Sequence, residues 1–232
     1  TISLTGKPEE PQMRGTAYLN NASIFVDYLN TRYKIEEKIG IYPDMFTFDH
    51  IGIRDELNNP GFLTGQILHN AFGDWNFDIM IDMETPMLAM NTTQEMNSMY
   101  YGKAMTTGYV NIYGYDDQLE FDINVKTEKE TSLAMPMNSS DDITFGNFIH
   151  FIDKSKPTVE PPLDLSGIKL NLNLDITPDA YFQIIFDEAI GDVMRGQGQG
   201  NLNMVINNLS TFNMYGTVEL VKGNYLFTLK NL

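Results

Sequence analysis

The chain has 232 residues, a net charge of −16 and a hydrophobic content of 42%, and it contains no cysteine. The hydrophobic content excludes a mainly disordered chain, and the acidic charge argues against a nucleic-acid partner because phosphate binding needs clustered Lys and Arg. The missing cysteines exclude zinc fingers, iron–sulfur clusters, thiol catalysis and disulfide scaffolds. We therefore expect an acidic, folded protein that binds no nucleic acid.

The first half of the chain shows alternating apolar and polar residues, a pattern typical of strands with one apolar face. Between residues 46 and 53 the alternation slips by one position, which predicts a β-bulge at Asp49 and His50. A long regular run follows at residues 75–83. Turn-forming residues at 58–61 and at 115–117 separate the runs.

One segment departs from this alternation. Thr92 and Glu95 have the spacing of a capping box, in which a Thr side chain and a Glu three residues later cap the start of a helix. Met96, Met99 and Tyr100 then follow at helical spacing. These residues predict one short helix near 92–100.

The second half of the chain resumes the strand pattern, in runs at 119–125, 168–176, 201–207, 212–220 and 225–229. Further turn residues lie at 139–142, and three prolines predict a long loop near 153–165. We take this as a loop within one domain, 1–232, because strand patterns resume directly after it. Gly223 and its neighbours predict a tight turn that joins 211–221 to 225–230 as a hairpin. The predicted class is all-β and mostly antiparallel, with strands often eight or nine residues long.

No pattern in the chain points to catalysis. His50, His69 and His150 share no metal-ligand spacing, and each is better explained as a structural or surface residue. The glycines at 196, 198 and 200 lack the spacing of a dinucleotide-binding loop and precede a strand, so we expect a flexible turn or a close approach of two backbones. The carboxylates on the strands lie on polar faces, where solvation explains them. We predict no enzyme activity, no catalytic residues, no metal site and no cofactor.

The C-terminal part of the chain also carries an ordered series of short motifs. They are 172–180, Ile185-Phe186-Asp187, Gly191-Asp192, the glycine run 196–200, 214–219 and 222–227, with 65–69, 100–104 and Thr107-Gly108 upstream. In this order the motifs resemble the C-terminal domain of the TamB family, within the AsmA-like group of Gram-negative envelope proteins. The resemblance covers nearly the whole chain, although each motif is short.

The resemblance implies a β-taco, a long sheet folded into a U around an apolar groove. It also implies a periplasmic location, an inner-membrane anchor outside this fragment and a BamA-like outer-membrane barrel protein as partner. Members of the family are implicated in outer-membrane biogenesis, as a translocation and assembly module and in lipid transport. The family is not enzymatic, so the resemblance supplies no catalytic motif.

The alternation points to the same use of the apolar face. Apolar strand faces must be covered, and an open U can be filled by phospholipid acyl chains. Burying a methylene is worth about 0.8 kcal/mol relative to water but almost nothing relative to a bilayer, so lipid could slide along such a groove. We expect the groove to be lined by Trp75, Phe77, Ile79, Ile81, Leu119, Phe121, Ile123, Val125, Ile168, Leu170, Leu172, Leu174, Phe212, Met214, Phe227 and Leu229.

Two other functions remain open from the sequence. The chain could be a scaffold or chaperone for outer-membrane protein assembly, in which an unpaired strand near 225–230 pairs with a barrel strand. It could also be a carbohydrate-binding β-sandwich, although the single tryptophan gives little support for an aromatic sugar platform. A lipid-conducting groove remains the first hypothesis.

Overall fold

A computed structural model describes residues 1–7, 10–97, 100–136, 167–187, 191–207 and 212–226, without the side chains of residues 10 and 212. Within these residues the protein is all-β, apart from one short 3₁₀ helix at Asp27–Leu29. The strands are β1 Ile2–Lys7, β2 Glu10–Tyr18, β3 Ala22–Val26, β4 Thr31–Ile35, β5 Lys38–Tyr42, β6 Met45–Arg54, β7 Pro60–Asn70, β8 Gly73–Thr92, β9 Tyr101–Tyr115, β10 Gln118–Thr127, β11 Ser132–Pro136, β12 Ile168–Ile176, β13 Tyr181–Asp187, β14 Asp192–Ile206 and β15 Phe212–Leu226.

The strands form one 15-stranded sheet whose order follows the chain. Four pairs of consecutive strands act as single interrupted lines: β2 with β3, β4 with β5, β10 with β11 and β12 with β13. The strands β2 and β3 pair with β5 and β4, both β4 and β5 pair with β6, both β10 and β11 pair with β9, and both β12 and β13 pair with β14. With each pair joined, every line pairs with the next line in the chain. The pairings are antiparallel except for β10 with β12 and β11 with β13, which are parallel. The predicted all-β, mostly antiparallel class is confirmed.

The sheet curls so that its early strands contact β8, although β6 and β7 lie between β4 and β8 in the strand order. The Tyr33 hydroxyl donates to the Leu88 carbonyl oxygen at 3.0 Å, and the Asn30 side-chain amide donates to the Asn91 carbonyl oxygen at 2.6 Å. Inside the curl lies one buried cluster, consisting of Ile35, Ile51, Ile53, Leu63, Met83 and Met87. A sheet that curls around apolar residues is compatible with the expected U shape.

Three strand lines, that of β8, that of β10 and β11, and that of β12 and β13, are interrupted at the same level, and we call this level the crease. It comprises residues 83–87, 128–131 and 177–180. Threonine side chains replace part of the lost backbone ladder there. The Thr177 N–H donates to the Thr127 hydroxyl oxygen at 2.9 Å, and the Thr131 hydroxyl donates to the Met105 carbonyl oxygen at 2.9 Å. Because Thr127 and Thr131 are buried, these bonds satisfy groups that water cannot reach.

Several local predictions are confirmed. At the predicted bulge, Phe48 lies opposite Gly65 while Ile51 lies opposite Leu63, so two residues of β6 face one of β7. His50 has a φ of 49°, as a bulge allows. The run at 168–176 is β12 with the same bounds, and a turn at 116–117 joins β9 to β10.

The predicted helix near 92–100 is wrong. Strand β8 continues to Thr92, which lies opposite Gly102 of β9, and residues 94–96 form a turn. The Asn97 N–H donates to the Thr93 carbonyl oxygen at 3.1 Å, which makes one helical turn within the described residues. Among those residues the buried Thr92 hydroxyl has no hydrogen-bond partner, so no capping box forms. The pairing of Thr92 with β9 outweighs the local helical signal. Residues 98 and 99 lie outside the described residues.

The predicted hairpin turn at 222–224 is also wrong, because β15 runs through it without a break. Lys222 lies opposite Gln197 and Gly223 lies opposite Gly196, so these residues belong to the β14–β15 ladder. A Cβ on Gly223 would overlap the Arg195 carbonyl oxygen, so glycine there serves close strand approach rather than a turn. Residues 227–230, the turn at 139–142 and the loop near 153–165 lie outside the described residues. Strand β8 has 20 residues, far more than expected.

Candidate functional site

Apolar residues align across the sheet on one face. Residues directly opposite each other on neighbouring strands point to the same side, so the register shows which side chains share a face. From β5 to β15 they form four rows. Along a strand the rows are two residues apart, which is about 7 Å, except at the β6 bulge, where Phe48 and Ile51 are three residues apart. We call this surface the apolar face.

The members of the rows follow from the register. The first row is Ile41, Phe46, Ile67, Phe77, Gly114, Leu119 and Ile168. The second is Phe48, Gly65, Ile79, Ile112, Phe121, Leu170, Ile206 and Phe212. The third is Ile51, Leu63, Ile81, Val110, Ile123, Leu172, Met204 and Met214. The fourth has Ile53 and Gly61 at one end and then Met83, Gly108, Val125, Leu174, Leu202 and Gly216.

The structure brings the proposed lining residues together on this face, as far as it describes them. Trp75 lies on β8 one step beyond the first row. Phe212 takes a position in the second row, with its side chain outside the description, and Phe227 and Leu229 are outside it altogether. All the other proposed residues are members of the four rows. Their shared face follows from the register, whereas their role as a lipid lining stays a prediction.

The apolar face is unevenly covered. In the fourth row, next to the crease, Ile53, Met83 and Leu174 are buried. In the second and third rows Phe121 and Leu172 are only half-buried, as are most of their neighbours in those rows. Two packed sheets would bury such central positions completely. Large apolar side chains therefore stay partly accessible along several adjacent strands.

The opposite face is polar and is held by a side-chain ladder. The Asn203 side-chain amide donates to Asn173 at 2.9 Å, and the Asn173 amide donates to Asn124 at 3.1 Å, which links β14, β12 and β10. Lys169 of β12 and Glu120 of β10 form an ion pair at 2.7 Å on the same face, four residues from Asn173 and Asn124. Because a shift of one residue would exchange the two faces, this ladder and the apolar rows fix the same register.

An aromatic group lies at the β7–β8 end of the apolar face, and it consists of one residue of the first row and three residues beyond that row. We call its members Phe46, His69, Phe72 and Trp75 the rim cluster. The Phe46 ring is 6.3 Å from the Trp75 ring, and the His69 ring lies 4.6 Å from Phe72 and 5.2 Å from both Phe46 and Trp75. The sequence pattern did not single out His69. A signal was present, because His69 follows Gly65 and Ile67 at two-residue spacing on β7 and therefore lies on the apolar face.

Partly buried tyrosines close the curl near the β8–β9 connection. The Tyr28 and Tyr100 hydroxyl oxygens are 2.6 Å apart, which links the 3₁₀ helix to residue 100. Burial raises the pKa of Tyr100 far above its ordinary value, and the neighbouring Tyr28 raises it further. Burial also raises the pKa of Tyr33, whose hydroxyl bonds to β8. These phenols act as neutral hydrogen-bonding groups.

The acidic and histidine side chains of the described residues form no candidate metal site. On the polar face Asp122 accepts a hydrogen bond from Asn171 at 3.3 Å, and Glu120 is paired with Lys169. No helix in this part of the chain is long and apolar enough to cross a membrane.

The comparisons with known proteins agree with the architecture. Residues 49–232 match the family model described as the TamB C-terminal domain. Neither a search of curated proteins nor a search of solved structures gave a match.

Proposed function

Because the chain belongs to the family of TamB C-terminal domains, we propose that its apolar face conducts phospholipid acyl chains between the inner and outer membranes. The family acts in the cell envelope, in TamB-type outer-membrane assembly, as a non-enzymatic component. Lipid conduction is a more specific role than outer-membrane assembly, and it is our proposal. With it we propose a periplasmic position and an inner-membrane anchor outside this fragment.

One observation carries the proposal: from β8 to β14 most members of the second and third rows are apolar yet only half-buried, although Ile51, Leu63 and Ile206 are buried. Leaving such a surface against water is costly, at about 25 cal/mol per Å² of apolar area. An acyl chain would cover it without needing polar partners. Transfer from a bilayer to these rows changes little in free energy, so lipid would move rather than be trapped.

A charge in the third row tests this function. Leu172→Glu should abolish bound phospholipid, because a carboxylate would have to be buried among acyl methylenes. Asn171→Glu is the matched control, since Asn171 lies next to it but on the polar face. Native mass spectrometry of the purified protein would count bound lipid. Equal lipid binding by both folded variants would contradict the proposal.

The scaffold function remains a second candidate because of β15. This strand pairs with β14 along its length, and no other described strand pairs with its second edge. Its side chains are largely exposed, among them Tyr215 at 61%. Such an edge could add a strand of a BamA-like outer-membrane barrel protein.

Crosslinking tests the edge directly, because the chain has no cysteine of its own. A photoactivatable label on Tyr215→Cys should capture the barrel partner, whereas the same label on Tyr113→Cys should not. Tyr113 is also exposed, at 43%, but lies on β9 in the interior of the sheet. Equal capture from both positions would reject pairing through β15.

A further inference from the structure

The rim cluster contains a buried hydrogen-bond donor that the fold leaves unused. His69 is 5% exposed, and its Nδ1 accepts a hydrogen bond from the Phe72 backbone N–H at 3.2 Å. Nδ1 therefore carries no proton, and Nε2 carries it as N–H. Within the described residues Nε2 has no hydrogen-bond partner. An unpaired buried donor is destabilising, so the site is incomplete as it stands.

The turn beside His69 places two non-glycine residues at positive φ, although a hairpin of this type could use Asn-Gly there without strain. Ala71 and Phe72 connect β7 to β8 with φ values of 49° and 64°, as in a type I′ turn. Asn-Gly is the favoured pair for this turn, because bulky side chains are disfavoured at positive φ. The strained Phe72 supplies both the N–H that fixes the His69 ring and the ring that stacks on it at 4.6 Å. Strain of this kind is often kept at binding sites.

The surroundings of Nε2 indicate what it would bind. The ring lies among Phe46, Phe72 and Trp75, which favours an uncharged acceptor over a phosphate that would lose its hydration. Trp75 is the only tryptophan of the chain, and Phe72 is 38% exposed, so the cluster lies between the apolar rows and water. Tryptophan favours the same boundary in membranes, where lipid esters lie.

We propose that the rim cluster is a subsite for the ester end of a phospholipid, in which His69 Nε2 donates a hydrogen bond to an ester carbonyl oxygen. This inference rests on the proposed function, because the acyl chain must lie on the apolar rows. It gives the lipid a fixed polarity on the sheet: its head group lies outside the β7–β8 turn and its methyl end lies toward the crease.

The single tryptophan allows a test on the unaltered protein. Phosphatidylcholine carrying a nitroxide quencher on one acyl chain, either next to the ester or at the methyl end, is bound to the protein and Trp75 fluorescence is measured. The subsite predicts stronger quenching by the label next to the ester. Equal quenching, or stronger quenching by the methyl-end label, would overturn the subsite while leaving lipid conduction intact. If neither label quenches and native mass spectrometry finds no bound lipid, both the subsite and lipid conduction are rejected. If lipid is bound but neither label quenches, only the subsite is rejected.

Substitution of His69 gives a second, chemically specific test. His69→Phe keeps a flat ring but removes the donor, and it should weaken binding of diester phosphatidylcholine by about fivefold, as expected for one lost hydrogen bond. Binding of the dialkyl ether analogue, which lacks the carbonyls, should not change. His69→Phe also removes the acceptor of the Phe72 N–H, so circular dichroism must show that the variant is folded before the two lipids are compared. Equal loss for both lipids, or no loss for either, would show that His69 only fills space or holds a water.

The turn offers an independent control. Replacing Ala71-Phe72 by Asn-Gly supplies the favoured type I′ sequence while removing the ring that stacks on His69. We expect a higher melting temperature together with weaker binding of diester phosphatidylcholine. Higher stability with unchanged lipid binding would contradict a role of the strained turn in this subsite.

Discussion

At the scale of single residues, the bonds that hold the curl closed come from side chains that no local pattern singles out. Asp55 is buried and accepts hydrogen bonds from the Leu88 N–H at 2.6 Å and from the Asn59 N–H at 2.8 Å. Thirty-three positions separate Asp55 from Leu88 in the chain. The sequence predicts solvated acids on polar strand faces, and only the curl shows that this one is buried.

Tyr100 gives a pH-dependent prediction at this scale. Its pKa is raised from an ordinary 10.0, so its protonated form contributes stability that is complete below about pH 10 and falls as the pH rises further. The wild type should lose up to about 1.4 kcal/mol per pH unit above pH 10 from this group. Tyr100→Phe should remove that part of the alkaline loss, measured by urea unfolding at several pH values.

Tyr113→Phe is the control, since Tyr113 is exposed on the polar face and should keep the wild-type slope. The pKa of Tyr33 is also raised, so Tyr100→Phe should still lose some stability at alkaline pH through Tyr33. If the free energy of unfolding falls with pH equally in the wild type and in Tyr100→Phe, the stability of the Tyr28–Tyr100 contact does not depend on the protonation of Tyr100.

At the scale of strands, alternation predicted position and face well because it reflects which side of the sheet is apolar. The run at 168–176 became β12 residue for residue. The errors occurred where local turn or helix chemistry was given more weight than strand pairing. Residues 222–224 contain good turn residues, and Thr92 begins a good capping box, yet residues 222–224 and Thr92 all pair with a neighbouring strand. Pairing is a long-range property that neighbouring residues do not encode.

Close approach of β14 and β15 gives a prediction about Gly216. It has a φ of 145°, and a Cβ there would overlap the Asn201 carbonyl oxygen. Gly216→Ala should therefore lower the free energy of unfolding by more than about 1 kcal/mol and speed amide exchange along β15. Gly52→Ala is the control, because its Cβ would meet only the Glu37 side chain at 3.8 Å. Equal effects of the two substitutions would contradict a strained contact at Gly216.

At the scale of the whole molecule, the sequence predicted the all-β class of the sheet, but not how its apolar face is covered. Burial near the crease depends on β4 reaching β8 across two intervening strands. The half-buried rows and the rim cluster likewise depend on the curl. His69 was dismissed from the sequence because its meaning lies in Phe72 and Trp75, which become its neighbours only when the β7–β8 hairpin forms.

The central claim is that phospholipid lies on the apolar face of this sheet, and crosslinking from adjacent residues on β10 tests it most directly. Phe121 lies in the second row, and Asp122 lies on the polar face opposite Asn171. A photoactivatable amino acid is placed at each position in turn, and captured lipid is identified by mass spectrometry. The account predicts phospholipid adducts from position 121 and none from position 122. Equal adducts from both positions, or none from position 121 in a folded protein, would contradict it.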